Sequence, residues 1–521
     1  MKRIRSRRLV LPFSVSSLHA DKRTALMNPW GRTMSVHFLA AAVCLQLFGC
    51  GGSDSGTKPD DGGNGDGTDT LPPYVVMTAP ASGSTINGAV TMTAEATDSS
   101  GVRMVYFRVS DFCGNLYFDL ADSIPPYEGQ WSPDDSQIGE FHLCASAIDS
   151  AGNHSDWVCV NAKHGTSGVS IGQFVPPGMH VGGEVAVYGS GFGPDDGTGM
   201  VMFHDKEAQV VSWSENSITF IVPTGVMQDA MTDVTVVVDC RLTASKLFDV
   251  TPQGVVRLTD DPGNDGEPCW SYDGGRIYFS SMRSGNYDIW SIPATGGGAL
   301  QFTYDPANDN WPDSNPNADV LAWGSRGLNG SWNPEGDYEI FTGTLSTLAQ
   351  ITVDTLIDRT PAWSPTNYMG YLLAYSNYEE DAYHTLLPQI TLYSQTDGHV
   401  YFADGENPNF SPNGRIVVYS LEANIYTKTI GASDEPVQLT NADHDGAPHW
   451  GWANDKIVFE RFGGYTGSDI YIMDPNGTNQ TPLIATMSYE YSPTWSPDCT
   501  KVVYAAFRYS NLDIYVFSVT P

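Results

Sequence analysis

From residue 72 onward, apolar and polar positions alternate in short runs separated by turn residues, the period-two pattern of half-buried strands. Between 72 and 163 the runs are Tyr74–Thr78, Val90–Ala96, Arg103–Val109, Phe141–Ile148 and Trp157–Val160. A turn falls about every ten residues, which predicts a small β-sandwich. A second sandwich is predicted over 168–251, where SWSENSITFIVP (212–223) precedes a closing strand at Lys246–Val250. Beyond residue 255 the units read strand, turn, strand, turn, strand, as in Arg276–Ser280, Asp288–Ile292 and Leu300–Thr303. The predicted class is all-β.

The last segment repeats. Pro268-Cys269-Trp270-Ser271-Tyr272-Asp273-Gly274 returns as Pro361-Ala362-Trp363-Ser364-Pro365, Pro408-Asn409-Phe410-Ser411-Pro412, Pro448-His449-Trp450 and Pro493-Thr494-Trp495-Ser496-Pro497. A degenerate copy stands at Pro312-Asp313-Ser314. Successive prolines are 44, 49, 47, 40 and 45 residues apart. Self-similarity near that period, with four strands per unit, predicts a six-bladed β-propeller over 255–521. The sixth repeat stops after its third strand, whereas Val255-Val256-Arg257-Leu258-Thr259 precedes the first repeat. Pairing 255–259 with Asp513–Val519 would complete the last blade and remove an unpaired edge.

The opening residues break the pattern. Eight basic residues and a single acid, Asp21, lie in 1–49, and the apolar run Val36–Phe48 is shorter than the roughly 20 residues a membrane span needs. This is the layout of a secretory signal, with Met27 an alternative start. The run ends Leu47-Phe48-Gly49-Cys50, which resembles the lipobox of bacterial lipoproteins. The resemblance implies acylation of Cys50 and attachment to the membrane through the lipid anchor alone, on either leaflet of the cell envelope. Residues 50–71 carry almost no apolar side chain and predict a flexible acidic tether. Its aspartates lack the closing Glu of a calcium loop.

Charge then narrows the partners. The whole chain has 60 acidic and 26 basic residues, net −34, and removal of 1–49 leaves 18 basic against 59 acidic, net −41. No basic footprint for nucleic acid exists. Hydrophobic residues are 41% and charged residues 17%, so the bulk is globular.

Three stretches resemble known families. APASGSTINGAVTMTAEATDSSGV (79–102), Pro125-Pro126-Tyr127 and AIDSAGN (147–153) resemble a bacterial Ig-like domain, over 72–163. GGEVAVYGSGFG (182–193) with the strands after it resembles an IPT/TIG domain, over 168–251. Its glycines lack the Lys-Ser/Thr and helix of a phosphate loop. The repeats, with Asp469-Ile470-Tyr471-Ile472 and Asp513-Ile514-Tyr515-Val516 as third strands, resemble the WD40-like repeats of TolB-type propellers.

Three features invite chemistry. Trp270-Ser271-Tyr272-Asp273-Gly274-Gly275 imitates a nucleophile elbow, but its Ser is the repeat position also held by Ser364, Ser411 and Ser496, and an elbow needs a strand-to-helix turn. An acid stands three residues before the repeat proline at Asp265, Asp309, Asp358, Asp445 and Glu490, with Gly405 interrupting. These five would form a partial ring at the channel mouth for a divalent cation or a basic partner, or would accept N–H bonds within their own loops. His444 and His449 flank this series. Among cysteines, Cys144 is placed to pair with Cys159 across the turn at 150–153, Cys113 competes as a partner, and Cys269 and Cys499 are candidates to bridge the first and last blades. No CxxC or HExxH pattern supports zinc catalysis.

The resemblances imply a non-enzymatic envelope lipoprotein that presents the propeller for protein–protein contacts, with loop aromatics such as Trp332, Tyr338, Tyr378 and Tyr383 as anchors or as blade-edge cover. The alternative is a carbohydrate-binding or carbohydrate-active propeller, which needs carboxylates or a metal converging in the channel.

Overall fold

The structure is a computed structural model that describes residues 69–519, apart from 167, 328–335, 367, 381–385, 443, 464–466, 487 and 510. The signal, Cys50, the tether up to Thr68, Trp332 and Tyr383 lie outside the described residues. Apart from one 3-10 turn, Tyr368–Gly370, every described element is a strand.

The first sandwich packs a three-stranded sheet against a five-stranded one. Alternation places Val105, Phe107, Val109, Phe141 and Leu143 inside with Trp131, and the rings of Trp131 and Phe141 meet edge-on at 5.0 Å. Cys144 and Cys159 are directly opposed residues on adjacent strands and are disulfide-bonded. The second sandwich is held by a phenylalanine cluster in which Phe174 and Phe203 each meet Phe220 and Phe248 edge-on.

The two sandwiches are joined covalently. Cys113 leaves the first and bonds to Cys240 of the second, 127 residues later. Around this bond the Phe112 amide donates to the Cys240 carbonyl at 3.0 Å, and the Glu140 amide to the Arg241 carbonyl at 2.7 Å. The buried Thr243 hydroxyl donates to Glu140 Oε2 at 3.0 Å. Gly139, at φ 133°, fits because any Cβ there would stand 2.3 Å from the Arg241 carbonyl oxygen.

Residues 255–518 form six four-stranded antiparallel blades. The last is completed from the front of the segment: Val255, Val256 and Arg257 pair with Phe517, Val516 and Tyr515. The other edge of that closing strand is also occupied. Gly178 and Met179 of the second sandwich pair with Arg257 and Val256, so one nine-stranded sheet runs from the sandwich into blade six. Gly178 permits the approach, since a Cβ would meet the side chains of Arg257 and Asp249 at 2.8 and 2.9 Å.

The repeat proline has a backbone role. In all six innermost strands the residue before it has positive φ: Glu267 (53°), Trp311 (55°), Thr360 (48°), Asn407 (54°), Ala447 (44°) and Ser492 (49°). The pairing register shifts at each of these sites. Proline has no N–H for the ladder, so a bulge is accommodated where a hydrogen bond is already missing. The motif that marks the repeat in sequence is therefore the motif that bends each inner strand.

Candidate functional site

At the Trp end of the inner strands, Asp313, Asn409, His449 and Thr494, each following its repeat proline, reach the next blade. Asp313 Oδ2 accepts the Trp363 amide at 2.7 Å, Asn409 Oδ1 the Trp450 amide at 2.9 Å, and His449 Nδ1 the Trp495 amide at 3.3 Å. The Thr494 hydroxyl closes the circle by donating to the Pro268 carbonyl at 2.6 Å. His449 is thus a neutral acceptor, its pKa pushed down to about 3 by burial. His444 meets the ring of Phe462 edge-on at 5.9 Å. Neither histidine belongs to a metal-binding group: among the described residues the three-acid group close enough to share an ion is Asp69, Asp98 and Asp149, in the first sandwich.

Three of the four motif serines close turns through their hydroxyls, whereas Ser364 Oγ is buried without a hydrogen-bond partner. Ser271 Oγ donates to Asp273 at 2.7 Å and accepts the Arg276 amide at 2.9 Å, and Ser411 and Ser496 repeat this with Asn413 and Asp498. The elbow-like sequence is a β-turn.

The five acids do not form an open ring at the mouth. Asp265, Asp309, Asp358, Asp445 and Glu490 are all 2% exposed or less, each turned into the seam between its own blade and the preceding one. The reason is packing: the acid opens the inner strand and its amide is held by the neighbouring blade, as when the Asp309 amide donates to Tyr287 O and that of Asp358 to Tyr338 O.

The seams differ in how charge is balanced. At the sixth–first seam both acids have an arginine: Arg283 binds Asp265 at 2.7 Å, and Arg257 binds Asp513 at 2.8 Å. At the fourth–fifth seam Asp445 is held by Arg461 at 2.6 Å, opposite neutral Asn424. The third–fourth seam has Gln389 and Gly405, with no acid at these positions. The remaining three seams each face two carboxyl groups with no described ion pair: Asp288 with Asp309, Glu339 with Asp358, and Asp469 with Glu490. Burial pushes Asp309 up to about 7, Asp358 to about 9 and Glu490 to about 8; it also lifts Asp513 to about 7 and raises Asp265, where the paired arginines act against it.

A covalent bridge across the closure is also corrected. Cys269 and Cys499 are free and buried. They face away from each other, Cys269 toward the Ser314 amide of blade two and Cys499 accepting the Ala453 amide of blade five at 3.3 Å. Burial raises both thiols.

Inside the channel the sequence reading overlooked Arg359. Its guanidinium lies 5.3 Å from the Trp311 ring, 5.4 Å from Tyr338 and 5.3 Å from Tyr378. Its Nε is buried without a hydrogen-bond partner. Tyr338 and Tyr378 are not free anchors, since Asn310 donates to the Tyr338 oxygen at 2.9 Å and Tyr378 donates to Glu406 at 2.6 Å. Glu267 and Glu406 flank this arginine electrostatically. The available signal was position: all three precede the repeat proline by one or two residues.

Comparison with known proteins fits this layout. Residues 73–155 match the family model of the bacterial Ig domain, and residues 170–250 that of the IPT/TIG domain. No curated protein matches the chain. Similar solved structures include a putative TolB from Agrobacterium tumefaciens, at 16% identity and a TM-score of 0.37 over 53% of this chain and 95% of that one. An auxiliary nutrient binding protein from Bacteroides thetaiotaomicron is similar at 13% identity and 0.38, over 67% and 97%. An oligogalacturonate lyase from Vibrio parahaemolyticus is similar at 12% and 0.35, over 56% and 99%. The chain is thus a bacterial Ig domain, an IPT/TIG domain and a six-bladed propeller in series.

Proposed function

We propose that this chain is a lipid-anchored protein of the bacterial cell envelope, without a catalytic role, that holds a propeller at a fixed stand-off to bind another envelope protein. One observation carries the reading: both joints in the described chain are locked. A disulfide fixes sandwich to sandwich, and a continuous sheet fixes sandwich to propeller. Domains within a chain usually move relative to one another, and a locked stalk suits a protein whose task is to place a binding face. The lipobox-like Leu47–Cys50 supplies the anchor in this reading. Photo-crosslinking the anchored chain in whole envelopes should trap a discrete protein adduct that excess soluble 69–519 competes away.

A glycan-binding reading rests on Arg359, whose donors among three aromatic rings have no described acceptor. An array of acidic and neutral glycans separates the two. Glycan binding lost in Arg359→Ala, without a protein adduct, would replace the protein-binding reading.

A further inference from the structure

The unevenness of the seams has a physical consequence. Asp309 and Asp358 are completely buried, and neither oxygen of either carboxyl has a hydrogen-bond partner. Glu490 is 1% exposed and its Oε2 is likewise unpartnered. Thr303 and Ser325 beside Asp309, and Thr352 beside Asp358, favour the charged form, but burial outweighs them, and both threonine hydroxyls are directed to the other acid of the seam. Thr303 donates to Asp288 at 3.5 Å while accepting the Ile289 amide, and Thr352 donates to Glu339 at 2.5 Å while accepting the Ile340 amide. At the third such seam Thr486 bonds to Glu490 itself, opposite Asp469.

The groups facing each acid are themselves acidic or neutral. Asp309 meets Asp288, Asp305, Thr303 and Ser325. Asp358 meets Glu339, Asp354, Asp337 and Thr352, with the Tyr375 phenol across from it. Glu490 meets Asp469 and Thr486, with Tyr491 and Tyr504 beside it. Two carboxylates in one low-dielectric seam cannot both remain ionised without a cation.

Blade six shows where its cation went. Arg508 stands two residues beyond the strand partner of Glu490, as Arg283 stands two beyond that of Asp265. It turns instead to Asp229 and Asp249 of the second sandwich.

We infer that three of the six seams are held by a proton where the others use an arginine or no acid, so that the propeller is a pH-sensitive ring whose first–second, second–third and fifth–sixth seams loosen in alkali. A carboxyl whose folded-state pKa lies above its unfolded value stabilises the fold fully below the ordinary carboxylate range. That contribution is lost as pH rises through the folded values, here about 7 for Asp309, about 8 for Glu490 and about 9 for Asp358. Stability should therefore fall from acid toward alkaline pH across this window.

The test compares the oxidised 69–519 chain with the triple variant Asp309→Asn, Asp358→Asn, Glu490→Gln, whose amides mimic the protonated acids. Thermal midpoints are measured from pH 5 to pH 9.5, and infrared spectra at pH 7 report the C=O stretch of protonated carboxylic acids. The midpoint of the parent should drop steadily with pH, the slope should flatten in the variant, and the protonated-carboxyl band should weaken in it. Equal slopes with an unchanged band would overturn the inference. If the triple variant does not fold, Glu490→Gln alone decides by the same band: a loss supports the proton-held seam and no change contradicts it.

Discussion

Replacing Arg257 with Ala is expected to destabilise the propeller by about 3–5 kcal/mol, the cost of leaving buried charge without its partner. Arg257 sits on the closing strand, is 7% exposed, and binds Asp513 at 2.8 Å while its Nε donates to the Thr259 carbonyl at 2.8 Å. Asp249 of the second sandwich shares its field. Removing the guanidinium therefore leaves the buried Asp513 without its ion-pair partner and Asp249 with Arg508 alone, at 3.6 Å, and it does so on a strand of three residues that joins two domains. Denaturant unfolding should show the loss, and the double variant Arg257→Met, Asp513→Leu should recover much of it because the orphaned charge is gone too. A loss below about 1 kcal/mol in Arg257→Ala, the range of an exposed pair, would show that the closure does not depend on this contact.

The second large effect belongs to the bond between the sandwiches. Cys113→Ser with Cys240→Ser should lower stability by about 2–4 kcal/mol, because the bond constrains a long loop in the unfolded chain. That loop, closed by cysteines 127 positions apart, includes most of both sandwiches. The hydrogen bonds at Phe112, Glu140 and Thr243 remain, so the pair should loosen without separating. The matched variant Cys144→Ser, Cys159→Ser removes a bond that spans a sequence separation of only 15 inside one sandwich and should leave the joint intact. Unfolding curves of the two variants check this; equal effects on the joint would contradict it.

Much of this architecture was legible in sequence because it is local or repeated. The proline marks a bulge in every inner strand, so its spacing counts the blades. The closing strand could be placed because the last repeat stops one strand short. The acids were visible as a series, but their direction was not. A residue at the start of an inner strand serves a mouth or a seam depending on its neighbour in the next blade, and only packing decides this. Whether an arginine answers each acid is equally non-local. Arg283 and Arg508 occupy equivalent positions, yet one holds its own blade's acid and the other an acid of the preceding domain. Sequence makes Cys113 a competing partner within the Cys144–Cys159 pairing; its partner is instead Cys240, which lies in a different domain, beyond the reach of any turn or register argument. The pairing of Gly178 and Met179 with the closing strand involves too few residues to carry a periodic signal.

The central claim is that the sandwiches and the propeller move as one body. Spin labels on exposed sites of the first sandwich and an outer blade strand, such as Leu120→Cys and Val437→Cys, measure it directly through their distance distribution. A single narrow distribution in the oxidised protein, broadening when Cys113 and Cys240 are replaced by Ser, is the result this account predicts. A broad or multimodal distribution in the intact, oxidised chain would contradict it.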